Sequence, residues 1–487
     1  DEQLVTINAG GEANATNSGT RRRTVLQSML VRANYSLLDR YLLTGSVRRD
    51  GSSRFGPNNR WGVFSAISAG WVLSEENFFR SVPVLRGADF LKLRASTGTL
   101  GNQDIGDYRY SAPIEQNRLG YPFGGNVQAG ATQLQFSNPD IKWQSNRQDN
   151  VGFDLNAMDN RLSFTADAYR STSTGLLVSA PLPWSLGVGL DPARRPVVNA
   201  GSMRNTGTEF GLTYRYGSGA PAAFRLNTTA SLTTVKNTVL SLGNEGQPLF
   251  DETNIARTAV GSPLGTFYVV RTAGIFQSAA EVAAWKVQPN AQPGDVRYVD
   301  ANGDGIINDD DRVESGNGTP KYSGGLFFDG GLGAWDFGLN LRGAGGFKIF
   351  NASRYWTDRM DDPSNYRAGF APWTPQNPST TTPRALAVGN DNTRYASDRW
   401  IEKGDYLRVQ NIVIGVRIPE SLMSQLGGSQ PVSARLYLNA QNVHTFTGYS
   451  NWDPETLGYG NPLGRGIDEG RVYPNVRTFS LGVDLRL

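Results

Sequence analysis

The sequence predicts an all-β membrane protein, an up-and-down antiparallel β-barrel with long extracellular loops and short periplasmic turns. Three observations carry this reading. Apolar residues recur at every second position in short runs along nearly the whole chain, as in WGVFSAISAGWVL at residues 61 to 73. The connections between these runs alternate between short and long. No run approaches the roughly 20 apolar residues of a membrane helix, since hydrophobic residues make up only 38% of 487 while glycine contributes 57.

The run at 61 to 73 sets the scale. Trp61, Val63, Ser65, Ile67, Ala69, Trp71 and Leu73 share one face, which is apolar and has tryptophan near both ends. Ten residues of strand rise roughly 33 Å, and a tilt near 45° reduces this to about 23 Å along the membrane normal, close to the roughly 25 Å apolar band of an outer-membrane barrel. Trp61 and Trp71 are therefore expected in the two interfacial girdles, against outer-membrane lipid.

Taken in order, Gln27 to Leu37 and Tyr41 to Arg49 read as strands ahead of this one, and Leu91, Leu93, Ala95 and Thr97 follow it. The latter alternate with Lys92, Arg94 and Ser96, so charge falls on an inner face that must meet water or a plug. A loop from 100 to 145 leads to a hairpin in which Val151, Phe153 and Leu155 turn through MDN into Leu162, Phe164 and Ala166. After a loop from about 173 to 203 come Phe210, Leu212 and Tyr214, then Phe224, Leu226, Thr228 and Ala230. The longest connection, about 236 to 321, contains SAAEVAAW, a short helix with a capping box from Ser278 to Glu281. Gly324, Leu326 and Phe328 turn through DGGLG into Trp335, Phe337, Leu339 and Leu341. Beyond a loop from 345 to 404 lie Leu407 to Ile418, Leu436 to Val443, and Phe479 to Leu487.

This makes about thirteen strands, with the carboxyl terminus on the periplasmic side. With an odd number of antiparallel strands the first and last run in the same direction, so closure needs a parallel seam or other polypeptide to complete the wall.

Composition excludes several functions. A net charge of +3 spread along the chain gives no nucleic-acid footprint, and zero cysteines leave no disulfide or thiolate metal site. The lone histidine, His444, has no nucleophile and carboxylate set around which acyl transfer could be built, so no enzyme is expected. The opening DEQLVTINAGGEANATNSGT reads as polar loop without a signal region.

One stretch has metal-ligand spacing. In DANGDGIINDDD, Asp300, Asn302, Asp304, the Ile306 carbonyl, Asn308 and Asp311 stand at positions one, three, five, seven, nine and twelve, with Gly305 at the sixth. That is the pattern of a hard-cation loop, and Ca2+ is the expected ion, although Asp replaces the usual bidentate Glu at the twelfth position. The alternative is an Asx-rich turn held by its own hydrogen bonds. For substrate contact the long loops offer Tyr108, Tyr110, Trp184, Trp356, Trp373, Tyr449 and Trp452, whose rings suit sugar stacking or peptide side chains and equally suit loop packing.

Several long stretches, among them RYLLTGSVRRDGSSRFGPNNRWGVFSAISAGWVLSEENFF, NAGSMRNTGTEFGL, DANGDGIINDDDRVESGNGTPKYSGGL, GDYLRVQNIVIGVRIP and YPNVRTFSLGVDLRL, closely resemble the later part of SusC/RagA-type TonB-dependent outer-membrane transporters. The resemblance implies that residues 1 to 487 are the carboxyl-terminal portion of a plugged barrel of 22 strands, the large-transporter class. It also implies import of oligosaccharide or peptide with a SusD-like lipoprotein as lid and energy delivered through TonB, while the plug, the TonB-contacting segment and the first strands would precede Asp1. Two readings from other classes share the barrel: a passive porin, and a surface adhesion or assembly protein with a closed pore. Leu487 departs from the terminal aromatic common in such barrels.

Overall fold

The structure, a computed structural model, describes residues 23–112, 114–133, 136–179, 196–217, 223–243, 246–361, 365–386, 391–419, 433–455 and 462–486. Thirteen strands pair in sequence order, each antiparallel to the next. They are β1 (Leu26–Leu37), β2 (Tyr41–Ser52), β3 (Trp61–Val72), β4 (Ala88–Asn102), β5 (Gln144–Ala157), β6 (Leu162–Thr174), β7 (Ser202–Tyr216), β8 (Arg225–Thr234), β9 (Tyr322–Leu332), β10 (Trp335–Gly345), β11 (Tyr406–Ile418), β12 (Ser433–Thr447) and β13 (Thr478–Arg486). Among the described residues β1 and β13 have no second neighbour, so the sheet has two open edges.

The register explains why the alternating sequence suffices. Trp71 lies opposite Tyr41 and Leu93, Leu93 opposite Phe153, and Phe153 opposite Ala166, so one apolar face runs unbroken across the wall. It continues through Phe210, Leu232, Leu326, Leu341, Ile414, Leu438 and Leu481 on the later strands. The opposite face carries ion pairs that cross from strand to strand. Arg94 on β4 donates to both oxygens of Asp167 on β6 at 2.7 Å and to Asp154 on β5 at 3.1 Å, and Arg435 on β12 bridges Asp336 and Asp484. Each arginine thereby stitches three strands together from the inner side, with a bidentate pair to Asp167 or Asp336.

Tight turns set the short ends. Met158, Asp159 and Asn160 all adopt left-handed backbone, with φ of 61°, 56° and 60°, and Gly333 does so between β9 and β10. Close approach fixes the glycines beside Phe64, where a Cβ on Gly101 would sit 2.0 Å from the ring.

Two expectations need correction. Loop lengths do not alternate everywhere, because the outer link 53–60 is shorter than the opposite link 73–87, which winds through three 3-10 turns. The segment expected as loop from 100 to 145 contains a hairpin, Ile114–Phe123 with Asn126–Gln133, and β4 and β5 reach further into it than their apolar runs. Backbone pairing there continues beyond the membrane, where polar side chains need not alternate. In the link 73–87 Glu76 accepts bonds from the Tyr41 hydroxyl at 2.7 Å and Trp71 Nε1 at 3.1 Å.

The expected helix is present as Ala279–Ala284. Ser278 accepts from the Glu281 N–H, while Glu281 reaches back one residue further than a capping box requires, to the N–H of Gln277.

Candidate functional site

The described residues of three outer segments, 235–321, 346–405 and 448–477, fold over the mouth of the wall into a cap with its own core. Ile255, Phe267, Val269, Phe350, Tyr355, Trp400 and Ile467 pack together, and they come from all three segments. Short strands tie the segments: Lys348–Asn351 pairs antiparallel with Ile401–Lys403 and parallel with Ile467–Asp468. Polar links reinforce them. Arg384 binds Asp295 at 2.6 Å, Thr272 donates to Asp398, and Glu402 accepts from Arg354 and from the N–H and hydroxyl of Ser450. Burial pushes the Glu402 carboxyl up, but Ser450 and Arg354 outweigh it and hold the group below its ordinary value. For Asp398 burial wins over the Thr272 bonds and the carboxyl is raised.

The third segment turns inward. Leu407 and Val409 face outward on β11, so Arg408 between them points into the lumen, where it is 4% exposed. Its guanidinium donates to Asp453 and Glu455 at 2.6 Å each and to Thr445 at 2.9 Å. One arginine thereby latches the loop to the inner wall. Burial raises the Asp453 carboxyl, yet the Glu455 N–H, Asn475 and Arg408 together hold it below its ordinary value.

Beside this latch is a cavity of about 730 Å³, walled by Asn340, Arg342 and Gln410 on one side and by Trp452, Asp468, Tyr473 and Asn475 on the other. Trp452 and Tyr473 are 82% and 84% exposed, so two rings stand uncovered among hydrogen-bonding groups. Such a surface can stack on a flat polar ligand and hold its edges.

The sequence-predicted aromatics separate by burial. Trp452 lines the cavity. Trp356 is exposed and stands edge-on to Tyr355 on the cap, and Tyr108 is exposed with left-handed backbone. Tyr110 packs against the cluster of Phe55, Ile105 and Ile141, away from this cavity. Trp373 and Tyr449 are buried, the first donating to Gln277 and the second to Asp468. Trp184 lies outside the described residues. Trp61 and Trp71 stand on the apolar face at opposite ends of β3, and Arg49 covers the Trp61 ring at 4.6 Å. Tyr473, Arg342 and Arg408 escaped the sequence reading, although the Leu407 and Val409 alternation already turned Arg408 inward.

In the acidic loop every named side chain is engaged by the loop's own backbone. Asp300 accepts from the N–H of Gly303 and Gly305, Asn302 from Asp304, Asp304 from Ile306, and Asn308 from Asp310. Asp311, fully buried, accepts from Ala301, Asn302 and Asn308. Burial raises its carboxyl, and these three N–H groups more than reverse the effect. The oxygen donors suit a hard cation, but among the described residues no three acidic or imidazole groups converge as ligands for one ion.

A long antiparallel wall with an apolar outer band and inner ion pairs, under a folded outer cap, defines an outer-membrane β-barrel. Residues 3–443 match the model of the family described as TonB dependent receptor-like, beta-barrel, and the chain belongs to that family. It is similar to TonB-dependent receptor P3 of Formosa agariphila, 29% identical over 98% of this chain and 47% of that protein. It is equally similar to TonB-dependent receptor SusC of Bacteroides thetaiotaomicron, 29% identical over 95% and 44%. Among solved structures the RagAB peptide transporter shares the fold, with TM-score 0.78 and 22% identity over 99% of this chain and 50% of that one. The chain thus spans about half the length of the curated relatives it matches.

Proposed function

We propose that this chain forms much of the wall and the outer cap of an active nutrient importer that works with a SusD-like surface lipoprotein and draws energy through TonB. The cavity at the lumen mouth is the observation that carries the reading. Its uncovered Trp452 and Tyr473, beside Asn340, Arg342 and Gln410, suit an oligosaccharide or a peptide taken from the cap side. Family membership and likeness to SusC support the transport class. Further strands would pair on the open edges of β1 and β13 to close the wall, and Ca2+ would bind the acidic loop weakly, after its carboxylates exchange N–H partners for the ion.

Uptake of a labelled substrate by cells carrying the whole transporter tests this. Uptake should vanish when the proton-motive force is collapsed, and Trp452→Ala with Tyr473→Ala should lower it by roughly tenfold, the scale of one to two lost stacking contacts. Uptake that survives loss of the proton-motive force identifies a passive pore instead.

A further inference from the structure

The outward face of the wall is uneven in charge. Across β9 to β13 the outward register holds apolar residues, glycine and the lone histidine, with no acidic or basic side chain among the described residues. Across β5 to β8 it does not. Arg147 lies opposite Thr172, which lies opposite Arg204, and one step below Asp149 lies opposite Arg170, then Thr206, then Lys236 on the short strand Lys236–Ser241 that follows β8. Continuous pairing from these residues to the apolar Phe153, Phe164 and Phe210 places them on the same face, toward the outer ends of the strands.

Four cations thus meet one carboxylate, and that carboxylate is already engaged. Asp149 accepts from Thr97 at 2.6 Å and from Arg147 at 3.1 Å. Arg170 is exposed, and among the described residues neither it nor Arg204 has a hydrogen bond or ion pair; the Arg204 Nε is shut away from solvent without an acceptor. Charge facing lipid is costly at the membrane midplane and tolerated near its surfaces, so these rows mark the level at which headgroups begin. Directly beneath them is a shallow groove of about 800 Å³, floored by Ala69, Ala95, Val151 and Ala168 and edged by Ile67 and Arg170. Small side chains there leave room along the wall where Phe153 and Phe164 fill it lower down.

We propose that the outward face of β5 to β7 binds a phosphate-bearing lipid of the outer leaflet, its phosphate on Arg147, Arg170 and Arg204 and an acyl chain in the groove below. A cationic row above an apolar trough matches a ligand that carries anion and hydrocarbon at the same spacing. Zwitterionic lipid would leave the three excess charges unpaired, and a free anion would leave the groove unused.

The test uses the assembled outer-membrane protein containing this chain, purified in mild detergent and weighed intact with bound lipid. The probes are diphosphoryl lipid A, the same lipid after phosphatase treatment, and inorganic phosphate. The wild type should retain the phosphorylated lipid, and Arg170→Ala with Arg204→Ala should weaken retention roughly fivefold for each charge removed. Ala168→Phe, which fills the groove and keeps the charge, should weaken the lipid without changing any response to inorganic phosphate. Heat-modifiable gel mobility checks that each variant folds, and where the arginine pair fails to assemble, Ala168→Phe and the phosphatase comparison decide. Equal retention of phosphorylated and dephosphorylated lipid overturns the proposal, as does inorganic phosphate displacing the lipid at equal concentration.

Discussion

The wall and the cap are stabilised in opposite ways. Among the described residues all twelve of the largest fully buried side chains, from Trp400, Tyr298 and Phe55 to Val296, lie in outer segments, and none lies in the thirteen strands. In the wall Leu436, Leu438, Leu481 and Val483 remain exposed, because lipid takes the place of a core there. The wall is held by its ladder of backbone bonds and by inner ion pairs such as Arg94 with Asp167. The cap, above the membrane, must exclude water itself and so obeys the rules of a soluble domain. Damage to one region should therefore spare the other.

The largest effect should follow from Trp400→Ala. Trp400 is 1% exposed at the centre of the cap core and donates from Nε1 to the Arg394 carbonyl. Its removal should cost the cap about 3–5 kcal/mol. Limited proteolysis should then cut within 235–321 and 346–405 while gel mobility still reports a folded barrel; a barrel lost together with the cap would break the comparison. Leu438→Ala, on the lipid side, should leave cap proteolysis unchanged.

Arg408→Ala comes next, because it tests the joint between the two regions. Removing one partner of a buried pair costs about 3–5 kcal/mol, and partial exposure of Asp453 and Glu455, at 14% and 24%, reduces that to roughly 2–3. The loop should leave the wall, so that a cysteine introduced at Pro454, buried between the two latched carboxylates, reacts faster with a membrane-impermeant thiol reagent. Arg408→Lys should not restore the slow rate, since an ammonium cannot donate in the same fork to Asp453, Glu455 and Thr445.

Acid should loosen the cap by less. Glu402, Asp453, Asp361 and Asp311 are all held below their ordinary values, so their contributions are fully present above the unfolded pKa, near 4 to 4.5, and are lost as pH falls through the lower folded values. Asp398 works against them: its raised value stabilises the cap below the unfolded pKa, and that contribution is lost as pH rises through the folded one. With four groups against one, protease sensitivity of the cap should rise below about pH 4, and Glu402→Gln should shift that onset. A cap that tightens on acidification would show Asp398 to be dominant.

The same division explains what could be read from sequence. The strands were legible because a two-residue period with one apolar face is forced by lipid on one side and water on the other, and the membrane-spanning runs such as Trp61–Val72 and Trp335–Gly345 keep to it. The cap was not legible, because its core joins Ile255, Phe350, Trp400 and Ile467 across long separations, with no local period to announce them. Trp373 and Tyr449 looked like exposed binding rings because nothing nearby in sequence predicts the Gln277 and Asp468 that bury them. Trp452 came forward only because it is aromatic, and Tyr473, its partner in the cavity, carries no local sign to distinguish it from a packing residue.

The smallest effect belongs to the acidic loop, and it separates a cation from a turn. The side chains of Asp300, Asn302, Asp304, Asn308 and Asp311 already accept backbone N–H groups, so removing Ca2+ leaves the loop closed by its own bonds. An ion that displaces those bonds gains only the difference between two sets of ligands, which places the affinity near the 10⁻⁴–10⁻³ M range of extracellular modules. Chelation should then raise cleavage between residues 300 and 311 about twofold to threefold, the scale expected when calcium near its dissociation constant is withdrawn. Two substitutions divide the contributions. Asp311→Ala removes a buried carboxylate and strands three N–H donors, so it should open the loop with or without calcium. Asp304→Ala loses only two exposed bonds, from the Ile306 N–H and the Asn302 side-chain amide, so its cleavage should match that of the chelated wild type and should no longer respond to chelator. If native mass measurement finds no ion at millimolar calcium and the wild-type loop is cut at one rate with and without chelator, the spacing from Asp300 to Asp311 encodes an Asx-rich turn alone.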